Sequence, residues 1–130
     1  MSGSLQGKSA IIYGGGGGIG AAVARTFARE GCRVFLAGRT RGPLEAVAAA
    51  VTASGGSADL AVLDALDEQA VDDHVQDVVA TAGGVDVSLN LISRGDVQSR
   101  PLVEMSTEDV LRAVVTGLRS SFVTARAAAR

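Results

Sequence analysis

The sequence predicts an α/β fold, a parallel sheet doubly wound with helices. Three observations carry this. Short apolar runs alternate with stretches whose apolar residues recur every three or four positions. No linker or low-complexity segment interrupts the alternation. A glycine run, Tyr13-Gly14-Gly15-Gly16-Gly17-Gly18-Ile19-Gly20, lies at the junction of the first strand pattern and the first helix pattern. Such βα alternation implies right-handed crossovers and helices on both faces of the sheet.

Ser9-Ala10-Ile11-Ile12-Tyr13 is short, almost continuously apolar and followed by glycine, as suits a parallel strand covered on both faces. Beyond the glycines, Ile19, Val23 and Phe27 recur every four residues with Ala24 and Ala28 beside them, and polar residues fall elsewhere. Gly31 closes this helix where a left-handed residue is favoured. Between strand and helix, glycines permit a tight turn, bring backbone N–H groups against a pyrophosphate and pack the helix on the strand. The helix N-terminus adds partial positive charge there. Gly14, Gly16, Gly17, Gly18, Ile19 and Gly20 are therefore expected to bind a dinucleotide. Two registers fit: Gly15, Gly17 and Gly20 match Gly-x-Gly-x-x-Gly, while Gly14, Gly18 and Gly20 match Gly-x-x-x-Gly-Ile-Gly, which Ile19 favours. A phosphate-loop NTPase is excluded, because no Gly-Lys-Ser/Thr follows and the one lysine, Lys8, precedes the turn.

With these residues the sequence resembles the short-chain dehydrogenase/reductase family over nearly its whole length. Gly14 to Gly20 is similar to that family's cofactor turn, with Tyr13 where a threonine is usual. Val34-Phe35-Leu36-Ala37-Gly38-Arg39-Thr40 resembles the second strand and its loop. Asp64, followed by Ala65, matches the aspartate placed near the adenine; helix capping is its alternative role. Val85–Asn90 resembles the fourth strand, with Asn90-Leu91-Ile92-Ser93 in place of Asn-Asn-Ala-Gly. Asn90 reads as structural rather than catalytic, its backbone and Leu91 bordering the cofactor. Residues 101–129 resemble the long interface helix and its lead-in, but Val114-Val115-Thr116-Gly117 offers no counterpart of the family's helix asparagine.

The remaining elements follow in order. Pro43 fits a first helical position, and Leu44, Val47, Ala48 and Val51 mark a buried stripe that ends at Ser54-Gly55-Gly56-Ser57. Ala58–Leu63 reads as a third strand. Asp67–Ala82 reads as a helix with Val71, Val75, Val78 and Val79 inward, stopped by Gly83-Gly84. Residues 93–100 form a loop, and Ser106 with Asp109 makes a capping box for a helix reaching toward Arg130. Four strands in the order 3-2-1-4 make a Rossmann-type sheet, incomplete, with its ligand crevice between strands 1 and 4. Residues 1–130 are thus expected to be one NAD(P)-binding domain.

Arg39 sets the expected cofactor. NAD sites place a carboxylate about twenty residues past the turn, on the ribose 2′-hydroxyl. Gly38 stands there, followed by Arg39. A guanidinium grips a 2′-phosphate through charge-assisted bonds, and Thr40 and Arg41 add a hydroxyl and a second charge. The expectation is NADP(H) in preference to NAD(H).

Composition closes other classes. With 130 residues, 47% hydrophobic and 20% charged, the chain suits one domain with a core. A net charge of −2 and 3% aromatic content leave no basic or stacking footprint for nucleic acid. No apolar run approaches membrane-spanning length and no secretory pattern opens the chain, so a cytoplasmic protein is expected. The lone cysteine, Cys32, reads as inert at the mouth of the second strand. His74, among Asp72, Asp73 and Asp77, reads as a solvated surface residue, and the acidic residues show no metal-ligand spacing.

The resemblance implies hydride transfer between nicotinamide and a small carbonyl or alcohol substrate. It also implies a serine and a Tyr-x-x-x-Lys pair for proton transfer. The single tyrosine, Tyr13, and single lysine, Lys8, cannot form that pair. The chain is therefore expected to be the cofactor-binding half of such an enzyme, truncated before its catalytic residues and without catalytic residues of its own. A non-catalytic NAD(P)-binding or redox-sensing module and an interaction subunit with a vestigial site are the alternatives. On the last helix, Val110, Val114, Gly117, Ser121 and Ala125 line one side and Leu111, Val115, Leu118 and Phe122 another. Two buried sides, beside an unpaired fourth strand, predict a homo-oligomer through residues 106–130.

Overall fold

The computed structural model describes residues 3–130. Strands β1 (Ser9–Tyr13), β2 (Arg33–Gly38), β3 (Ser57–Val62) and β4 (Val87–Asn90) alternate with helices α1 (Gly18–Arg29), α2 (Arg41–Ala53), α3 (Glu68–Ala82) and α4 (Thr107–Ala129). All pairings are parallel, and the sheet runs β3-β2-β1-β4. This is the expected Rossmann-type order, with the topological reversal at β1 and β4, where open α/β sheets carry their ligands.

β1 is buried at all five positions because it lies inside the sheet with a helix layer on each side. Ile12, Val34 and Leu36 face one layer, where Ala24 of α1 and Leu44, Val47 and Val51 of α2 meet them. Ile11, Tyr13, Phe35 and Ala37 face the other, closed by Val71, Val75 and Val78 of α3 and Val123 and Ala127 of α4. The alternation of these two sets along each strand is the period-two pleat. At the far end from the ligand crevice, β1 and β4 are bracketed together. Ser9 N–H donates to the Asp86 carboxylate (2.8 Å), Asp86 N–H to Ser9 C=O (3.0 Å), and the Ser9 hydroxyl to Gly84 C=O.

Helix ends follow sequence chemistry closely. Gly31 (φ +89°) follows α1, with its N–H on Ala28 C=O and that of Cys32 on Phe27 C=O. Gly83 (φ +87°) ends α3 in the same left-handed conformation. Asp67 caps α3 at the Ala70 N–H, and Ser106 with Asp109 forms a complete capping box at α4.

Four expectations need correction. Pro43 is the third residue of α2, not its first, since Thr40 already stands at the N-cap and the missing N–H is harmless anywhere in the first turn. Val79 is exposed, because the arc of α3 on the sheet runs through Val71, His74, Val75 and Val78. His74 is consequently buried instead of solvated. On α4 neither apolar side lies against the sheet: the buried stripe is Ser120, Val123, Thr124 and Ala127, and Leu111, Val115, Leu118 and Phe122 are exposed. Small side chains win there because they let the helix sit close to β4 and α3.

Candidate functional site

A cleft of about 440 Å³ opens at the carboxyl ends of the strands. The loop after β1 contributes Gly14, Gly16 and Gly17, and the loop after β2 contributes Arg39 and Thr40. Leu63, Asp64, Ala65 and Leu66 follow β3, and Leu91, Ile92 and Ser93 follow β4. Ala37, Gly38, Pro43 and Leu44 complete the wall beside Arg39, and Thr116 of α4 closes the opposite side. Eight of the expected binding residues thus meet in one cleft: Gly14, Gly16, Gly17, Arg39, Thr40, Asp64, Ala65 and Leu91.

The glycines divide into two kinds. Gly14 has φ +80°, and a Cβ there would lie 2.8 Å from Leu91 C=O. A Cβ on Gly20 would lie 2.6 Å from Gly14 C=O, and one on Gly16 2.7 Å from Pro43 Cβ. These positions exclude any side chain because backbone or ring atoms occupy the space. Gly18, by contrast, has nothing within 4 Å of such a Cβ. Gly17 is the α1 N-cap, no side chain caps the helix, and no acidic residue sits in its first turn. The first N–H groups of α1 are left to an external acceptor, and the local field favours an anion. Gly14 N–H is used internally, on Ala37 C=O (2.8 Å).

Arg39 and Thr40 are exposed at the cleft edge, and among the described residues Arg39 has no carboxylate partner. Arg41 differs, pairing with Glu45 at 3.7 Å. Asp64 lines the cleft while its carboxylate accepts from Leu66 N–H (2.9 Å), and the capping role offered as its alternative belongs to Asp67. Gly18, Ile19, Gly20 and Asn90 do not line the cleft. Gly20 packs under the turn, and the Asn90 side chain points to α4, its Nδ2 donating to Ser120 Oγ (3.0 Å). These residues fit a dinucleotide: an uncapped helix start for the pyrophosphate, a cation beyond β2, and apolar walls between.

A sequence model described as short chain dehydrogenase matches residues 8–130. The chain belongs to the short chain dehydrogenase family. Among curated relatives, gluconate 5-dehydrogenase of Gluconobacter oxydans is 34% identical over 128 residues, which are 98% of this chain and 49% of that protein. A solved short-chain dehydrogenase/reductase from Serratia marcescens superposes with a TM-score of 0.84 at 34% identity, over 97% of this chain and 51% of its own. NAD⁺-bound xylitol dehydrogenase superposes with a TM-score of 0.87 at 29% identity, over 96% and 48%. The chain spans about half the length of these family members.

Within this family member, sequence reasoning missed Thr116 as a cleft residue. The only signal was its place in the segment where the family's helix asparagine has no counterpart. Tyr13 also borders the cleft, yet its phenol lies in the core, and its hydroxyl has no hydrogen-bond partner among the described residues. Burial, reinforced by the charge of Asp72, pushes its pKa up to about 12. Such a phenol neither gives nor takes a proton near neutrality. His74 is held below the usual imidazole range by burial, with Asp77 opposing.

Proposed function

We propose that this chain is the cofactor-binding half of an NADP(H)-preferring oxidoreductase that moves hydride between nicotinamide and a carbonyl or alcohol substrate. The observation that carries the NADP(H) preference is Arg39, without a carboxylate partner among the described residues, at the cleft edge directly after Gly38, where an acidic side chain would repel a 2′-phosphate. Gly14, Gly16 and Gly17, with the start of α1, would hold the pyrophosphate. Arg39 and Thr40 would hold the 2′-phosphate. Asp64, Ala65 and Leu91 would border the adenosine. When bound, the nicotinamide supplies the hydride chemistry; this chain's own residues bind, orient and exclude water.

Affinity for NADPH is expected to exceed that for NADH, and Arg39→Ala should erase the difference. Loss of a charged hydrogen-bonding group costs about 1.5–3 kcal/mol, roughly tenfold to a hundredfold in Kd. Titration of both dinucleotides into the chain and its variant checks this; equal affinities before mutation would refute it.

We also infer self-association through the α4 region, whose Leu111, Val115, Leu118 and Phe122 form an exposed apolar face.

A further inference from the structure

Ser120 is 1% exposed on α4, within the small-residue stripe against β4, and it is tied to the cleft through one side chain. Its hydroxyl proton goes to Gly117 C=O (3.3 Å), so its oxygen is free only to accept, and it accepts from Asn90 Nδ2 (3.0 Å). That choice turns Asn90 Oδ1 back to its own chain, where it accepts from Ile92 N–H (3.2 Å). The Asx-type turn so formed sets the path of Leu91 and Ile92 as they leave the sheet. Leu91 N–H in turn donates to Tyr13 C=O (2.9 Å). Their peptide is the wall that faces the glycine turn, near enough that a Cβ on Gly14 would meet Leu91 C=O at 2.8 Å and Ile92 N at 3.1 Å.

We propose that Ser120 is a positioning residue for the dinucleotide cleft: it selects the orientation of the Asn90 carboxamide and thereby fixes the Leu91–Ile92 wall opposite Gly14. This rests on the dinucleotide reading above. Without the hydroxyl, Asn90 Nδ2 is a half-buried donor with no acceptor, the amide can turn over, and the Ile92 N–H loses its partner.

The test joins two readouts on the chain, hydrogen exchange at the Ile92 amide and NADPH titration. Ser120→Ala is expected to speed Ile92 exchange and to weaken NADPH about fivefold to tenfold, the scale of one hydrogen bond. In an Asn90→Ala background the same change should add nothing. Thr124→Val removes a buried hydroxyl one turn on, bonded to Ser120 C=O (2.8 Å) and not to Asn90. It should cost stability without touching either readout. Ser120→Cys keeps the shape of the side chain but offers Asn90 Nδ2 only a weak acceptor, and it should speed Ile92 exchange even if Ser120→Ala fails to fold. Unchanged Ile92 exchange in Ser120→Ala or Ser120→Cys, or additive effects at 90 and 120, would overturn the proposal. Failure of the unmutated chain to bind NADPH would sink the dinucleotide reading instead, leaving the exchange measurement to judge the Ser120 link.

Discussion

Single glycines in this chain do different work although they stand side by side. Gly20→Ala drives a methyl into the Gly14 carbonyl, and overpacking of that kind costs about 1–3 kcal/mol. Gly18→Ala meets no protein atom, and alanine is the better helix former by up to about 1 kcal/mol. Thermal unfolding should therefore show Gly20→Ala destabilised and Gly18→Ala at least as stable as the parent. Dinucleotide titration should find Gly20→Ala weakened, because its methyl displaces the Gly14 carbonyl and with it the turn that lines the cleft. His74 makes a second residue-scale case. Its pKa is depressed in the folded protein, so between that value and the ordinary 6.5 the unfolded chain binds more protons. Stability is then expected to fall as pH drops below 6.5, and His74→Gln should flatten that part of a pH-dependent denaturation series. The sequence hid this residue. Three nearby aspartates suggested solvent, whereas burial depends on which arc of α3 the sheet covers.

At the scale of elements, legibility followed the kind of signal. The strands and the first three helices could be read because hydrophobic period and glycine stops agree on them. The glycine turn was legible for the same reason, set between an unmistakable strand and an amphipathic helix. α4 was legible in its start, where Ser106 and Asp109 form the capping box, and illegible in its faces. Its large apolar residues invited assignment to the core, but Ser120, Val123, Thr124 and Ala127 are the ones that touch it. Hydrophobicity ranks residues by how much they gain from burial, while close helix–sheet approach selects for small volume. Thr116 escaped for a related reason. A single polar residue on a helix announces nothing until the strands beneath it are placed. Ionic contacts then tie α4 to α3, through Arg126 with Glu68 and Arg130 with Asp72, the latter at 3.3 Å.

For the molecule as a whole, the exposed face of α4 is where we propose that copies of this chain associate. Phe122 and Leu118 are 60% and 69% exposed, with Leu111, Val114 and Val115 along the same helix. Sedimentation is expected to report an oligomer that Leu118→Glu with Phe122→Glu converts to monomer. Since neither side chain supports the monomer core, the double variant should keep its helical circular dichroism; a parent that sediments as a monomer would refute self-association. The sheet beneath the cleft is held at both ends. Ser9, Gly84 and Asp86 clamp β1 to β4 at the edge remote from the cleft, and at the other end Leu91 N–H still reaches Tyr13 C=O (2.9 Å) where the loops begin. A guest too large for the crevice must therefore push the loops aside, because the two strands under them are laced along their whole shared length.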